Sequence, residues 1–314
     1  MPPWLRITLL AVTLFAVLAG SAAISLAPTI PDIGTPPISK LLRRGTAEPG
    51  LSAEAVLIER LKSSETLWER NTDLRLPIAS LTKLMTALLL AEVGQPLDAV
   101  EFSAEAKRIG GRDDKRSAAI IGERLRAEDM LRMLLISSDN DAAYAAAEYV
   151  ALLHHPELAN ASFPDRTAAF VTLMNARAEA LGLTHTHFAN PAGSDDPANY
   201  SSARDLAALA KAIAKTYPEL WAISRTHETF IFGEGGRRYG LVNTNPLLRE
   251  YPAIYGSKTG YEDEAKGALL ILYQLARDEL FLIVLLRSAD RFGPNGDGRA
   301  AIQWLEENFV IESR

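Results

Sequence analysis

Hydrophobic positions change period several times along the chain, and each change marks an element. Ile7 to Leu18 is an apolar run broken only by Thr8 and Thr13, with Arg6 before it and Ala19, Gly20, Ser21, Ala22 and Ala23 after it. A basic residue, an apolar core and a small-residue zone form the layout of an export signal. The apolar character continues through Ile24, Leu26 and Ala27, long enough at roughly 20 residues to cross a bilayer as an uncleaved anchor. Residues 1–27 are therefore expected to be a signal peptide or a membrane anchor, and the protein to be exported.

Pro28, Pro31, Pro36, Pro37 and Pro49 with Gly34, Gly45 and Gly50 give residues 28–50 the composition of an extended linker. Two short apolar runs follow, Ala55–Ile58 and Thr66–Trp68, with Lys62-Ser63-Ser64 between them, and they read as a hairpin. From Leu84 to Ala91 almost no polar stripe remains, which is the pattern of a buried helix. Helical spacing recurs over Ala127–Ile136, Ala142–Leu153, Thr167–Leu181 and Ala203–Ala214, with Ser201 and Ser202 as caps for the last. Beyond Pro218 the pattern turns to strands: Thr229–Phe232, Tyr239–Val242, Ile254–Gly260, Ala268–Tyr273 and Leu280–Leu286, closed by a helix over Arg299–Phe309. Strands from both ends of the chain with helices between them predict one antiparallel sheet and an inserted helical subdomain at roughly 95–215, within a domain of 51–312.

Composition narrows the classes. The 314 residues are 48 % hydrophobic, enough for a sizeable core, and the net charge is -6. With no basic run longer than two residues, such as Arg43-Arg44, a nucleic-acid partner has no electrostatic support. The absence of cysteine excludes disulfides, thiol catalysis and thiolate metal sites. His185 and His187 could share one face of a strand, yet no carboxylate partner or HExxH pattern accompanies them, so no metal site is expected; no cofactor is expected either.

The candidate chemistry starts at Pro77-Ile78-Ala79-Ser80-Leu81-Thr82-Lys83. Residues three apart lie on one helix face, so the Ser80 hydroxyl and the Lys83 amine can meet as nucleophile and base. A cation in the first turn opposes the helix dipole, which argues against a merely solvated lysine. Two further motifs follow in order, Ser138-Asp139-Asn140 between two helices and Lys258-Thr259-Gly260 on a strand.

This ordered triplet resembles the signature of penicillin-binding proteins and class A β-lactamases. Leu67-Trp68-Glu69-Arg70-Asn71, Met174-Asn175-Ala176-Arg177-Ala178, His187-Phe188-Ala189-Asn190-Pro191-Ala192-Gly193, Tyr200–Leu206 and Asn243–Leu248 extend the likeness over roughly 51–310. They resemble the low-molecular-mass penicillin-binding proteins, and within them the D-alanyl-D-alanine carboxypeptidase and endopeptidase family. The resemblance implies an α+β fold, an α/β/α sandwich with an antiparallel sheet of about five strands and an inserted all-helical subdomain. It also implies a serine D,D-peptidase with an acyl-enzyme mechanism, peptidoglycan stem peptides as substrate, β-lactam antibiotics as covalent inhibitors, and a place in the periplasm or on the outer face of the cytoplasmic membrane. A membrane would be touched only through the N-terminal segment.

Carried over by motif, Ser80, Lys83, Ser138, Asn140 and Lys258 are the expected catalytic residues, with Thr259, Gly260, Tyr261 and Arg299 on the substrate side. A buried Lys83 beside a second cation, Lys258, would be a better base. Ser138 offers a proton relay and Asn140 an amide for substrate backbone; Gly260 would let a substrate peptide approach the strand, and Thr259 and Arg299 would meet its terminal carboxylate. Backbone N–H groups of Ser80 and Tyr261 would form the oxyanion hole. Asp139 stands where the carboxypeptidases usually carry a small residue, and Glu262, Asp263 and Glu264 follow Tyr261 where threonine is usual. No Glu-x-x-Leu-Asn loop follows the second motif, which sets the β-lactamase reading behind the peptidase one; a silent peptidoglycan-binding homologue is the rival from another class.

Overall fold

A computed structural model describes residues 40–45, 47–110, 118–276, 279–289 and 296–312. Its strands are β1 (Lys40–Arg43), β2 (Ala55–Arg60), β3 (Thr66–Arg70), β4 (Leu76–Pro77), β5 (Ala99–Glu101), β6 (Arg124–Arg126), β7 (Tyr200–Ser201), β8 (Glu228–Phe232), β9 (Arg238–Val242), β10 (Ile254–Glu262), β11 (Lys266–Ala276), β12 (Glu279–Ser288) and β13 (Phe309–Glu312). Its helices are α1 (Lys83–Val93), α2 (Ala104–Gly110), α3 (Ala127–Arg132), α4 (Asn140–His154), α5 (Phe163–Ala180), α6 (Ala203–Thr216), α7 (Pro218–Ser224) and α8 (Asp297–Asn308).

The central sheet has the order β10-β11-β12-β2-β3, antiparallel throughout. Its inner strands are apolar on both faces, which only a sheet covered on both sides tolerates. Period-two alternation sends Leu57, Leu270, Leu272, Leu282 and Val284 to one side, where α1, α4 and α6 pack. Val56, Ile58, Ile271, Ile283 and Leu285 go to the other side, against Ile302 and Leu305 of α8. The result is the expected α/β/α sandwich. Serine hydroxyls define two helix starts: Ser162 forms a capping box with Asp165 for α5, and Ser202 accepts from the Asp205 N–H for α6. Ser201, the other expected cap, instead bonds Thr186.

Three expectations change. Of the five strands expected after the helical block, only three enter the sheet; β8 and β9 form a separate hairpin. The segment expected to be a linker contributes β1, which pairs with β13, and the Trp304 indole donates to the Ala47 carbonyl; backbone pairing offers a Pro-flanked stretch a place that its composition does not announce. The helix expected over 127–136 changes hand-off at Met133, where a π turn runs to Ser137. The N-terminal segment 1–27 lies outside the described residues. Among the described residues no helix is long and apolar enough to cross a membrane.

Candidate active site

Ser80 sits in a 3-10 turn, Ala79–Thr82, that feeds directly into α1. Ala79 has φ 47, a left-handed backbone that a residue with a Cβ adopts only when its surroundings impose it. They do: Gly193, at φ +86, has its Cα side pressed so closely on the turn that an added Cβ would lie 1.9 Å from the Ala79 carbonyl oxygen. On the opposite side Gly260 of β10 faces Ala79, and an added Cβ would stand 3.1 Å from the Ser80 nitrogen. Gly260 therefore lets the strand seat against the Ser80 turn, a packing reason that differs from the substrate approach expected of it.

Lys83 opens α1 with no exposed surface. Its Nζ donates to Ser80 Oγ at 2.9 Å, to Asn140 Oδ1 at 2.7 Å and to the Ala192 carbonyl at 2.7 Å. Lys258, 1 % exposed on β10, donates to Ser138 Oγ at 2.8 Å and to the Thr259 carbonyl at 2.8 Å. The two lysines thus hold the two ends of the Ser138–Asn140 motif. Each is among the largest fully buried side chains of the fold. Burying an amine disfavours its charged form and is tolerated where its donors are all used.

Local backbone puts Ser138 and Asn140 there. The π turn ends on Ser138 in a left-handed conformation, φ 59, and α4 begins at Asn140. Single π turns often accompany functional sites, because the extra residue re-aims the chain end. Asp139, between them, is the cap of α4: its Oδ1 accepts from the Ala142 N–H at 2.9 Å. Burial pushes its carboxyl up to about 7; the Ala142 N–H opposes that, Asp141 adds to it, and the Lys107 and Lys83 cations oppose it. Since this value lies above the ordinary 3.8, the stabilisation is fully present below about pH 3.8 and is lost as pH rises through about 7. Asp139→Asn keeps an oxygen for the cap. It is expected to raise Tm at about pH 8 while leaving it near wild type in acid; thermal melts of both proteins that fall in parallel with rising pH would contradict this.

The Thr259 hydroxyl meets that of Thr244 at 2.6 Å, and the Thr244 N–H donates to the Ile136 carbonyl, which ties the end of β9 to the π turn. Tyr261 is half-buried on β10, an outer strand of the sheet among the described residues. Arg299, for which a substrate carboxylate is expected, forms an ion pair with Glu250. Its neighbour Gly298 packs on Leu269, the register partner of Thr259, so α8 begins one strand away from the site.

Several contributors were not singled out by sequence. The Ala192 carbonyl is a third acceptor for Lys83, and Asn190 Oδ1 shapes that loop by accepting from the N–H groups of Ala192, Gly193 and Ser194. Thr86 donates to the Pro191 carbonyl and Asn199 to Thr82. Asn-Pro-Ala-Gly announces a turn, but nothing local says which helix it encloses. Among the described residues no group of three or more His, Cys, Asp and Glu side chains could hold a metal ion.

Comparison with known proteins follows the same lines. A family model described as D-alanyl-D-alanine carboxypeptidase matches residues 43–287. The chain belongs to this family. The carboxypeptidase DacF of Bacillus subtilis is 36 % identical over 220 residues, covering 68 % of this chain and 52 % of the relative. A D-alanyl-D-alanine endopeptidase of Pseudomonas aeruginosa is 32 % identical over 309 residues, covering 95 % of this chain and 88 % of the relative. The chain thus spans about half the length of DacF and most of the endopeptidase. Among solved structures, the Streptomyces K15 DD-transpeptidase superposes with a TM-score of 0.73 at 24 % identity, covering 82 % of this chain and 98 % of that one. That likeness carries the penicillin-binding fold.

Proposed function

We propose that this chain is a serine D,D-peptidase that opens peptidoglycan stem peptides through an acyl-enzyme, with D-Ala-D-Ala carboxypeptidase activity as its main reaction. The observation that carries this reading is the Lys83 amine, wholly buried and 2.9 Å from the Ser80 hydroxyl. Unprotonated Lys83 would take the Ser80 proton as Oγ attacks the carbonyl carbon of the penultimate D-alanine. The oxyanion would be held by the Ser80 and Tyr261 N–H groups, and such donors typically contribute several kcal/mol to the transition state. Collapse would break the C–N bond, with Ser138, held by Lys258, relaying a proton to the leaving D-alanine nitrogen. Water would then hydrolyse the Ser80 ester, returning the stem acid. As an outer strand of the sheet among the described residues, β10 offers the substrate backbone a strand to pair with, and Asn140 a side-chain amide.

The Pseudomonas relative's match across 88 % of its length supports a second reading, D,D-endopeptidase action on cross-links. The same acyl chemistry serves both. Function on peptidoglycan implies export to the periplasm or the outer face of the cytoplasmic membrane, in keeping with the N-terminal pattern.

Purified protein is expected to release D-alanine from a D-Ala-D-Ala-ended muropeptide and to be labelled by fluorescent penicillin. Cross-linked dimers run in parallel separate the two readings by whether monomers appear. No D-alanine, no monomer and no label from correctly folded protein would leave only a binding role. The penicillin ester is expected to persist through a chase without free label, because the chain lacks the Glu-x-x-Leu-Asn loop for a deacylating water; rapid loss of label would count instead for a β-lactamase.

A further inference from the structure

Among the described residues the hairpin β8–β9 leaves one edge of β8 without a partner strand, beside a groove of about 660 Å³. Asn243 N–H donates to the His227 carbonyl and Gly233 N–H to that of Arg237. Antiparallel alternation between those two pairs turns the N–H and C=O groups of Glu228, Phe230 and Phe232 away from β9. The next residue in that phase, Glu234, has its N–H bonded to the Arg124 carbonyl, which closes the groove at the hairpin tip and shows which way the free edge faces.

The opposite wall is β6 and α3. It carries both signs of charge: Arg124 is loosely paired with Glu234 at 3.5 Å and Arg126 with Glu128 at 3.6 Å, while Arg132 bonds Asp129 closely at 2.5 Å and Glu128 at 3.2 Å. Arg124 and Arg126 are each half or more exposed, and exposed pairs of this kind contribute little to stability. A ligand bearing its own ammonium and carboxylate groups can replace them without leaving a charge unpaired. Phe230 and Phe232 add two aromatic side chains, each 57 % exposed, and Arg238 lies over the Phe230 ring at 4.4 Å. Exposed aromatics grouped on one strand usually mark a binding surface.

Both walls are rooted in the candidate active site. β9 runs through Asn243 to Thr244, which bonds Thr259, and α3 runs through the π turn to Ser138. The helical path from Arg132 to Ser138 rises only about 9 Å, so one cross-linked substrate would reach both places.

We infer that this groove is a second peptide site, which takes the neighbouring stem of a cross-linked peptidoglycan substrate as an extended strand against the free edge of β8. The inference rests on the peptidase reading above. Strand addition supplies main-chain hydrogen bonds, the arginines and acids of β6 and α3 meet the carboxylate and amino groups of the stem, and Phe230 and Phe232 cover its apolar parts. A monomeric muropeptide occupies the Ser80 site alone.

The test compares binding of monomeric and cross-linked dimeric muropeptides to the Ser80→Ala protein, with and without Phe230→Ala/Phe232→Ala or Arg126→Glu. The dimer is expected to bind about 10-fold more tightly than the monomer, and either added change to remove that advantage while leaving monomer affinity and Tm unchanged. Equal affinity for dimer and monomer, or a dimer advantage that survives both changes, overturns the groove. In the Ser80-intact background, the same variants should turn over a small D-Ala-D-Ala peptide as the parent does. Absence of turnover and of penicillin label in that parent would strike the peptidase reading, whereas a working parent with no dimer advantage strikes only the groove.

Discussion

Ser80→Ala is expected to abolish penicillin labelling and to lower D-alanine release by about 10⁴-fold or more, with the fold intact. The side chain is buried and its Oγ makes one described bond, from Lys83, whose amine keeps Asn140 and the Ala192 carbonyl as acceptors. Removing one oxygen therefore leaves no unpaired buried charge, and Tm should stay within a few degrees of wild type. The rate falls because no other group can form the ester; binding and the oxyanion donors account for what remains. Fluorescent penicillin on gels and D-alanine release measure the two steps. Labelling of Ser80→Ala at anything near the parent level would mean that the nucleophile lies elsewhere.

Gly193→Ala should cost both stability and activity, because residue 193 braces the Ser80 turn. Two penalties act together: the φ of +86 disfavours any L side chain, and the new Cβ would meet the Ala79 carbonyl at 1.9 Å. The clash is with backbone, so neither partner relieves it by a rotamer change. The Asn190–Ser194 loop must lift, which withdraws the Ala192 carbonyl from Lys83 and loosens the turn that presents Ser80. A loss on the order of 3 kcal/mol or more is expected, the size reserved for backbone strain and overpacking. Denaturant titration reads the stability, and penicillin acylation rates on the protein that remains folded read the site. A variant with the parent's denaturation midpoint and acylation rate would refute the account of how the Ser80 turn is held.

The elements carrying the chemistry are those whose local pattern is strongest. Ser80 and Lys83 fall on one helix face because their spacing is three, and the apolar run from Leu84 to Leu90 could go nowhere but into the core. The β11 and β12 runs, apolar at successive positions, demand cover on both faces, and they have it. The hairpin β8–β9 was equally legible as a hairpin, yet its alternating pattern does not say whether a strand edge is shared. Its Phe230 and Phe232 remain exposed because β9 turns away through Thr244 to reach the π turn rather than the sheet.

By itself, the order and spacing of residues determined an antiparallel sheet built from both ends of the chain, a buried helix headed by a serine and a lysine, and two further polar motifs. These rest on periodicity and near-neighbour geometry, which the chain carries locally. Only the tertiary structure decided that Asn140 and Ala192 share the Lys83 amine and that Lys258 takes Ser138. It likewise decided that Gly260 and Gly193 clamp the Ser80 turn, and that Arg299 pairs with Glu250. Lys83 and Ala192 are 109 positions apart, and Lys258 and Ser138 are 120 apart. Contacts that distant are set by how layers pack and where loops close, which leaves no periodic trace in the chain.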